Sequence, residues 1–205
     1  MVSLPRRSAA HGHCRCRPPG HSCEREGRVH EFHSDDDSAP SPHIEVLAVS
    51  TGWGPVLLIA AVLAGLQAGT YYTWATGVMP GLARTDDRTF VHATQQMSIA
   101  IVNPAFMLSF LGAPLFAGAA IAGAEPSARP WAIAGAALAV GTLLITAIGN
   151  VPLNKQIEAA GPIDSIVDLS SVRARFEGRW VALNSARSFT SLGAMACLVW
   201  AAYRA

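Results

Sequence analysis

The sequence predicts an all-α protein, a four-helix transmembrane bundle with an interfacial helix between spans one and two and a disordered N-terminal tail. Hydrophobic residues make up 51% of the chain, charged residues only 14%, and the mean hydropathy is +0.30. Soluble domains carry about 25% charged residues, so this composition indicates a membrane protein. After residue 54, charge-free stretches long enough for a membrane helix of about 20 residues recur along the chain.

Residues 1–54 differ in composition from the rest of the chain. They hold six of the fifteen Lys and Arg, seven of the fourteen Asp and Glu, and six of the seven His. Clusters of proline, glycine and aspartate cannot build a core, so we expect a disordered tail followed by a membrane domain over residues 55–205. The spacing of the His and Cys residues in the tail matches no zinc framework, and we predict no metal site.

Four spans are expected in the membrane domain, at about 55–78, 104–122, 130–149 and 183–203. The first ends at Met79-Pro80-Gly81, because proline and glycine together stop a helix. The charge-free zone from Phe90 to Ala124 is too long for one span. We divide it at Asn103-Pro104, since the residue before a proline avoids helical backbone angles. This division predicts an interfacial helix over 89–102.

The charges predict an orientation and bear on partners. The loops after spans one and three carry most of the Lys and Arg near the membrane, so the positive-inside rule places them in the cytoplasm and both termini outside. The net charge is +1 and no segment alternates basic and aromatic residues, so nucleic-acid binding is not expected. The expected partners are membrane lipid and a hydrophobic small molecule.

Small residues spaced four apart form one face of span one, including Gly65 and Gly69. Such a face lets another helix approach closely. Two interpretations stay open, packing within the bundle and a homo-oligomer through the Gly65/Gly69 face. Gln67, Tyr71 and Trp74 form a neighbouring stripe, which indicates either hydrogen bonds between helices or the wall of a pocket.

The last hydrophobic segment carries one polar stripe. At roughly 100° per residue, four residues fall within about 60° of one another on a helix: Trp180, Asn184, Arg187 and Ser191. A charge at mid-depth in a membrane costs at least roughly 2.5–3.5 kcal/mol, so we expect a polar group to face Arg187. The alternative is that Arg187 extends to the lipid headgroups. Glu177 is a candidate to pair with nearby arginines.

The predicted interfacial helix carries three polar residues on one face, His92, Gln96 and Asn103. His92 is the only histidine after residue 54. It is either a base near neutral pH or simply a solvated side chain. Asn103 is also a candidate cap for the helix that follows it.

Two amides flank a Gly-Pro break at the end of span three, Asn150 and Asn154 in the segment 149–154. One interpretation is a helix end followed by a turn. The other is that the broken backbone lines a cavity, one of the few settings in which a membrane tolerates it.

Six short motifs lie in order between residues 56 and 203. They are Val78-Met79-Pro80-Gly81-Leu82, Gln95-Gln96-Met97, Asn103-Pro104, Asn150-Val151-Pro152-Leu153-Asn154, Phe176-Glu177 with Trp180, and Asn184 with Arg187. Their order and the four-span layout resemble the anthrone-oxygenase-like integral membrane family. Much of that family is bacterial and is classed as a domain of unknown function, so we expect a multi-pass protein of the bacterial inner membrane.

The resemblance implies an activity. Fungal members oxidise an anthrone to an anthraquinone with dioxygen and without a recognised metal or flavin, so no cofactor is expected. By this resemblance Arg187 and Asn184 would stabilise an enolate oxygen. His92, which belongs to none of the family motifs, is the only obvious base. The implied substrate-binding residues are Trp180, Tyr71, Asn150, Asn154, Gln96 and Asn103. The alternative is a non-catalytic four-helix membrane protein that binds a lipophilic molecule or a partner.

Overall fold

The structure, a computed structural model, describes residues 52–205. The tail that the sequence predicts to be disordered lies outside the described residues, except for its last three positions.

Five helices build the membrane domain, and its described residues contain no strand. Their bounds are α1 Gly54–Leu82, α2 Asp87–Ala100, α3 Pro104–Gly123, α4 Arg129–Glu158 and α5 Leu169–Tyr203. A short 3₁₀ turn, Ile163–Ser165, lies between α4 and α5. The predicted all-α class is confirmed.

Three of these helices, α1, α3 and α4, are long and apolar enough to cross a membrane. The long helix α5 is not among them, because polar side chains interrupt its apolar sequence. Its C-terminal half nevertheless packs into the bundle core through Ala194, Leu198 and Ala201, which are all buried. The number of four spans therefore stays a prediction.

The break between α2 and α3 falls where the sequence predicts it. The Asn103 side chain accepts a hydrogen bond from the Phe106 N–H at 3.0 Å and caps α3. Asp86 caps α2 in the same way by accepting from the Thr89 N–H at 2.9 Å. This hydrogen bond lowers the pKa of Asp86 below its ordinary value. Each cap satisfies a backbone donor that the first turn of a helix leaves unpaired.

Two predicted helix ends are corrected by the structure. α1 continues past Pro80 to Leu82, and α4 continues past Pro152 to Glu158. In each helix a π turn directly precedes the residue before the proline, Trp74–Val78 in α1 and Thr146–Asn150 in α4. A proline ring clashes with the carbonyl one turn back and offers no N–H. The wider π turn leaves room for the proline ring and does not need the missing N–H. The helix therefore changes its hydrogen-bonding pattern locally and continues past the proline.

The start of α5 lies before the predicted fourth span. The helix begins at Leu169, well before residue 183, so the charged segment and the predicted fourth span are one continuous element. Arg173 ties its first turns to the start of α2, donating to Asp87 Oδ1 at 3.0 Å and to the Thr85 carbonyl at 2.9 Å. It also donates to Glu177 Oε2 at 2.7 Å, which raises the pKa of Arg173. The predicted pairing of Glu177 with a nearby arginine is confirmed.

Alanine dominates the core between α1, α3, α4 and α5. The buried alanines include Ala60, Ala64, Ala113, Ala117, Ala132, Ala139 and Ala194. Small side chains let helices approach closely. Van der Waals contacts between closely spaced helices therefore stabilise this part of the bundle, with few large side chains between them. Gly65 contributes to the same contact, because a Cβ there would lie 3.1 Å from Met195 Sδ. Gly69 has open space around it, and a homo-oligomer through this face stays a prediction.

Gly135 of α4 provides a direct test of this close packing. A Cβ at this position would lie 2.7 Å from Leu198 Cγ and 3.3 Å from the Ala194 carbonyl oxygen, so Gly135→Ala forces α4 and α5 apart. We expect it to lower the free energy of unfolding by about 1–3 kcal/mol. Gly141→Ala on the same helix is the control, since its Cβ meets nothing within 4 Å. Equal thermal unfolding midpoints for the two variants in detergent would contradict this packing.

Candidate functional site

A cavity of about 280 Å³ lies where all five helices meet. The wall from α2, α3 and the connection between them is mainly apolar: Met97, Ile101, Val102, Phe106, Met107 and Phe110. The opposite wall, from α1, α4 and α5, carries the polar groups: Tyr71, Asn150, Asn154, Trp180 and Arg187. An apolar cavity with a few convergent polar groups is the usual form of a small-molecule site.

Arg187 points into the bundle and not towards the lipid headgroups. Its side chain is 6% exposed, and the other residues of the predicted polar stripe are buried with it. The guanidinium carbon lies 4.3 Å from the centroid of the Tyr71 ring and 5.3 Å from that of Trp180. Two aromatic faces thus take the place that a carboxylate usually occupies, because a ring attracts a cation through its electron-rich face.

The charge of Arg187 has no acidic partner among the described residues. The ion pairs of this region involve Arg88 and Arg173, both at the start of α2 or α5. One Arg187 amino group donates to Asn184 Oδ1 at 2.8 Å, whereas Nε has no hydrogen-bond partner within the described chain. A buried cation without a counter-ion is costly unless a ligand supplies the negative charge.

Asn184 holds Arg187 in place and does not line the cavity. Its Nδ2 donates to the Tyr71 carbonyl at 3.0 Å, while its Oδ1 accepts from Arg187. The bond to Tyr71 joins α5 to α1 close to the start of the π turn in α1, and the bond from Arg187 lies within α5. Asn184 therefore contacts Arg187 and the backbone of α1, whereas the resemblance implies direct contact with substrate.

A chain of hydrogen bonds fixes the Tyr71 ring against the Arg187 guanidinium. The Tyr71 hydroxyl donates to Gln67 Oε1 at 2.6 Å, and Gln67 Nε2 donates to Ser109 Oγ at 2.7 Å. The Ser109 hydroxyl in turn donates to the Phe106 carbonyl at 2.9 Å. Both interpretations of the stripe on α1 therefore apply. Gln67 bonds to a neighbouring helix, whereas Tyr71 and Trp74 form part of the cavity wall.

The two amides of α4 behave differently. Asn154 Oδ1 accepts a hydrogen bond from Trp180 Nε1 at 2.9 Å. Asn150 is 1% exposed, and neither its Oδ1 nor its Nδ2 has a partner among the described residues. An unpaired buried donor or acceptor costs about 1–3 kcal/mol, so native proteins keep few of them. An amide that offers one donor and one acceptor to an apolar cavity is suited to a ligand that carries both.

Both π turns contribute to this site. Met79 N–H donates to the Trp74 carbonyl and Val151 N–H to the Thr146 carbonyl, each five residues back. Trp74, Thr146 and Asn150 lie in the two π turns and line the cavity. π turns inside helices are frequent at functional sites, because they turn side chains away from the α-helical register.

Three predicted site residues lie outside the cavity. His92 and Gln96 are exposed on α2, and His92 lines a separate surface groove with Arg88 and Ile163. Asn103 is also exposed and serves as the cap of α3. The face of α2 that turns inward carries Thr94 and Ser98 instead.

The cavity wall also contains residues that the sequence analysis does not single out: Thr94, Ser98, Phe106, Phe110 and Thr146. The spacing of four between Thr94 and Ser98 is a signal that they share a helical face, but nothing in the sequence marks that face as the inner one. Trp74 packs on Trp180 with ring centroids 5.1 Å apart, so its position depends on the approach of α5 to α1.

The sequence model of the family described as anthrone oxygenase matches residues 94–197. The chain belongs to the anthrone oxygenase family. The match to this anthrone oxygenase model begins in α2 and ends in α5, so it includes Asn150, Asn154, Trp180, Asn184 and Arg187. Comparisons with curated proteins and with solved structures give no match.

Proposed function

We propose that this member of the anthrone oxygenase family is a membrane oxidoreductase that oxidises an anthrone-type phenolic substrate with dioxygen, in the bacterial inner membrane. The observation that carries the proposal is the buried Arg187 on the polar wall of an apolar cavity. Within residues 52–205 it has no acidic partner, and the side chain of Asn150 on the same wall has no hydrogen-bond partner. A planar phenolate or enolate would supply the missing negative charge, and its rings would occupy the apolar side.

The chemistry requires a stabilised carbanion equivalent. An anthrone has a methylene group conjugated with a carbonyl through two aromatic rings. Loss of one proton gives an electron-rich enolate, which transfers an electron to dioxygen. The resulting superoxide and carbon radical combine to a peroxide at the methylene carbon, and loss of water leaves the anthraquinone. The substrate thus loses four electrons, one oxygen atom enters the product and the other leaves as water.

Arg187 would act on the oxygen of the enolate. A cation in a site without water stabilises developing charge more strongly than it does in water, and one well-placed donor is worth roughly 2.7–4 kcal/mol. Its Nε is a donor that has no partner in the part of the chain that the structure describes. Asn150 would hold a neighbouring hydroxyl or carbonyl group, while Trp74 and Trp180 would pack against the ring system.

The proton has no evident acceptor in the described lining of the cavity, which contains no histidine, lysine or carboxylate. We infer that the enol form of the substrate loses its proton to water as it binds, and that Arg187 favours the anion. Turnover is therefore expected to rise with pH to a plateau as more substrate ionises. His92→Gln is expected to leave this pH profile unchanged, and an added inflection or a loss of rate in that variant would restore His92 as the base.

The test of the proposal is dioxygen uptake by the purified protein in detergent with emodin anthrone. The non-enzymatic rate is subtracted and a chelator is present throughout. We expect one dioxygen consumed for each anthraquinone formed, at a rate proportional to protein. Uptake equal to the background would overturn the proposal. Binding of the anthrone without uptake would instead favour the alternative, a non-catalytic protein that holds a lipophilic molecule.

The π turns provide a further prediction. Pro152→Ala supplies the missing N–H, so we expect α4 to return to α-helical spacing and Asn150 to leave the cavity wall. Turnover should fall roughly tenfold, while the unfolding midpoint stays equal or rises, since an interior proline costs a helix about 3 kcal/mol. Pro130→Ala in the first turn of α4 is the control. Equal turnover in the two variants would show that the π turn does not position the site.

A further inference from the structure

The wall of the cavity reaches the outer surface of the bundle at two apolar residues. Val102, between α2 and α3, is 69% exposed, and Val151, directly after the π turn of α4, is 37% exposed, yet both line the cavity. The residues three positions before them in the chain are also large, apolar and exposed: Ile99 and Ile148. The opening between Val102 and Val151 therefore faces an apolar medium.

The depth of this opening follows from the aromatic cluster at the opposite end of the bundle. Trp131 of α4 and Trp200 of α5 lie there with ring centroids 6.2 Å apart, and Tyr203 packs beside them. Tryptophan and tyrosine concentrate at membrane interfaces. From Trp131 to Asn150, α4 rises roughly 28 Å at about 1.5 Å per residue, which is close to the hydrocarbon thickness of about 30 Å. The opening thus lies near the other boundary of the hydrocarbon layer.

The backbone at the opening supports this placement. Residues 101–103 between α2 and α3 are not helical. A membrane tolerates irregular backbone where it lines a cavity, and Ile101 and Val102 do line it. Asn103 satisfies part of the backbone by capping α3 and by donating to the Ala100 carbonyl at 3.1 Å.

We propose that the substrate enters the cavity sideways from the bilayer, through a portal between Val102 and Val151. This inference rests on the proposed function and specifies its substrate class: a fused-ring phenol that collects at the hydrocarbon boundary with its polar end towards the headgroups. Such a molecule already lies at the depth of the portal. It would move its rings along the apolar wall until its oxygen reaches Arg187 and Asn150.

The test compares Val102→Phe with Leu108→Phe, both in the full chain reconstituted in phosphatidylcholine vesicles. Leu108 is 66% exposed on α3 and does not line the cavity, so it controls for added bulk on the lipid-facing surface. The probe is 1,8-dihydroxyanthraquinone, whose binding is followed by quenching of tryptophan fluorescence. We expect Val102→Phe to slow association about tenfold and Leu108→Phe to change it less than about twofold. With an anthrone substrate, Val102→Phe should raise KM more than Leu108→Phe does.

A second measurement distinguishes the bilayer from water as the source. At the same free aqueous concentration, a homologue of the probe that partitions more strongly, such as its 3-methyl derivative, is more concentrated in the bilayer, so entry from the bilayer predicts a higher association rate for that homologue. A rate that follows only the aqueous concentration would overturn the portal, as would equal rates for the two phenylalanine variants. Probe binding without oxygen uptake would support the portal and contradict the proposed oxidation. Absence of probe binding to the wild type would overturn both.

Discussion

Arg187→Met is expected to reduce kcat for anthrone oxidation by roughly 10²–10³-fold, the loss that follows removal of one donor from a preorganised anion site. Methionine fills similar space between the Tyr71 and Trp180 rings but carries no charge. Asn184 then loses the donor to its Oδ1, whereas its bond to the Tyr71 carbonyl remains. The substrate enolate would lie in an apolar cavity without a cation, and its formation would become unfavourable.

Stability separates this role from a purely structural one. A buried charge without a counter-ion costs free energy, and its replacement by a hydrophobic residue of similar volume is often neutral or stabilising. We therefore expect the unfolding midpoint of Arg187→Met in detergent to equal or exceed that of the wild type. Arg179→Met, exposed earlier on α5, controls for the change in net charge. A large fall in the midpoint with normal turnover would assign Arg187 to the structure of the bundle.

Arg187→Lys refines the comparison. Lysine keeps the positive charge, but it lacks the planar group that contacts two aromatic faces and donates to Asn184 and a ligand together. We expect turnover between that of the wild type and that of Arg187→Met. Equal activity for lysine and methionine would mean that the geometry of the guanidinium, and not its charge, supports the reaction.

Asn150→Leu is the second prediction with a large effect. It replaces an amide whose two polar atoms have no described partner with an apolar side chain of similar size. We expect a higher unfolding midpoint, since each unpaired polar atom costs about 1–3 kcal/mol. We also expect kcat/KM to fall roughly 10–100-fold, as for the loss of one or two hydrogen bonds to a substrate.

The neighbouring amide gives the matched comparison. Asn154→Leu removes the acceptor of the Trp180 Nε1–H bond, so it should lower the unfolding midpoint. Opposite shifts in midpoint for the two variants, measured by thermal unfolding in the same detergent, are the expected result. A lower midpoint for Asn150→Leu would mean that Asn150 has a partner in the folded protein and is not held ready for a ligand.

Strong local signals in the sequence were sufficient for much of this molecule. The break at Asn103-Pro104 follows from the backbone restriction before a proline, and Asn103 caps α3 as that restriction suggests. The inward polar stripe of α5 follows from helical spacing, because four polar or amphipathic residues on one face of an apolar helix need a common environment. Helical spacing also places Tyr71 and Trp74 on one face of α1.

Other features depended on contacts between helices. Spacing alone places His92 and Gln96 on one face of α2, but this helix mixes polar and apolar residues, so only its packing on α4 and α5 decides that Thr94 and Ser98 face the cavity. Likewise, Pro80 and Pro152 predict helix ends from local geometry. Packing against the neighbouring helices stabilises the helical conformation on both sides of each proline. The π turns that result place Trp74 and Asn150 in the site.

Composition and the periodicity of single helices were therefore enough to predict the helical membrane class, the break at Asn103-Pro104 and the polar stripe of α5. The burial of that stripe, the amides that face the cavity and the surroundings of Arg187 became evident from the packing of the helices. These features depend on contacts between side chains of α1, α4 and α5. The periodicity of a single helix does not predict the distances between residues on different helices.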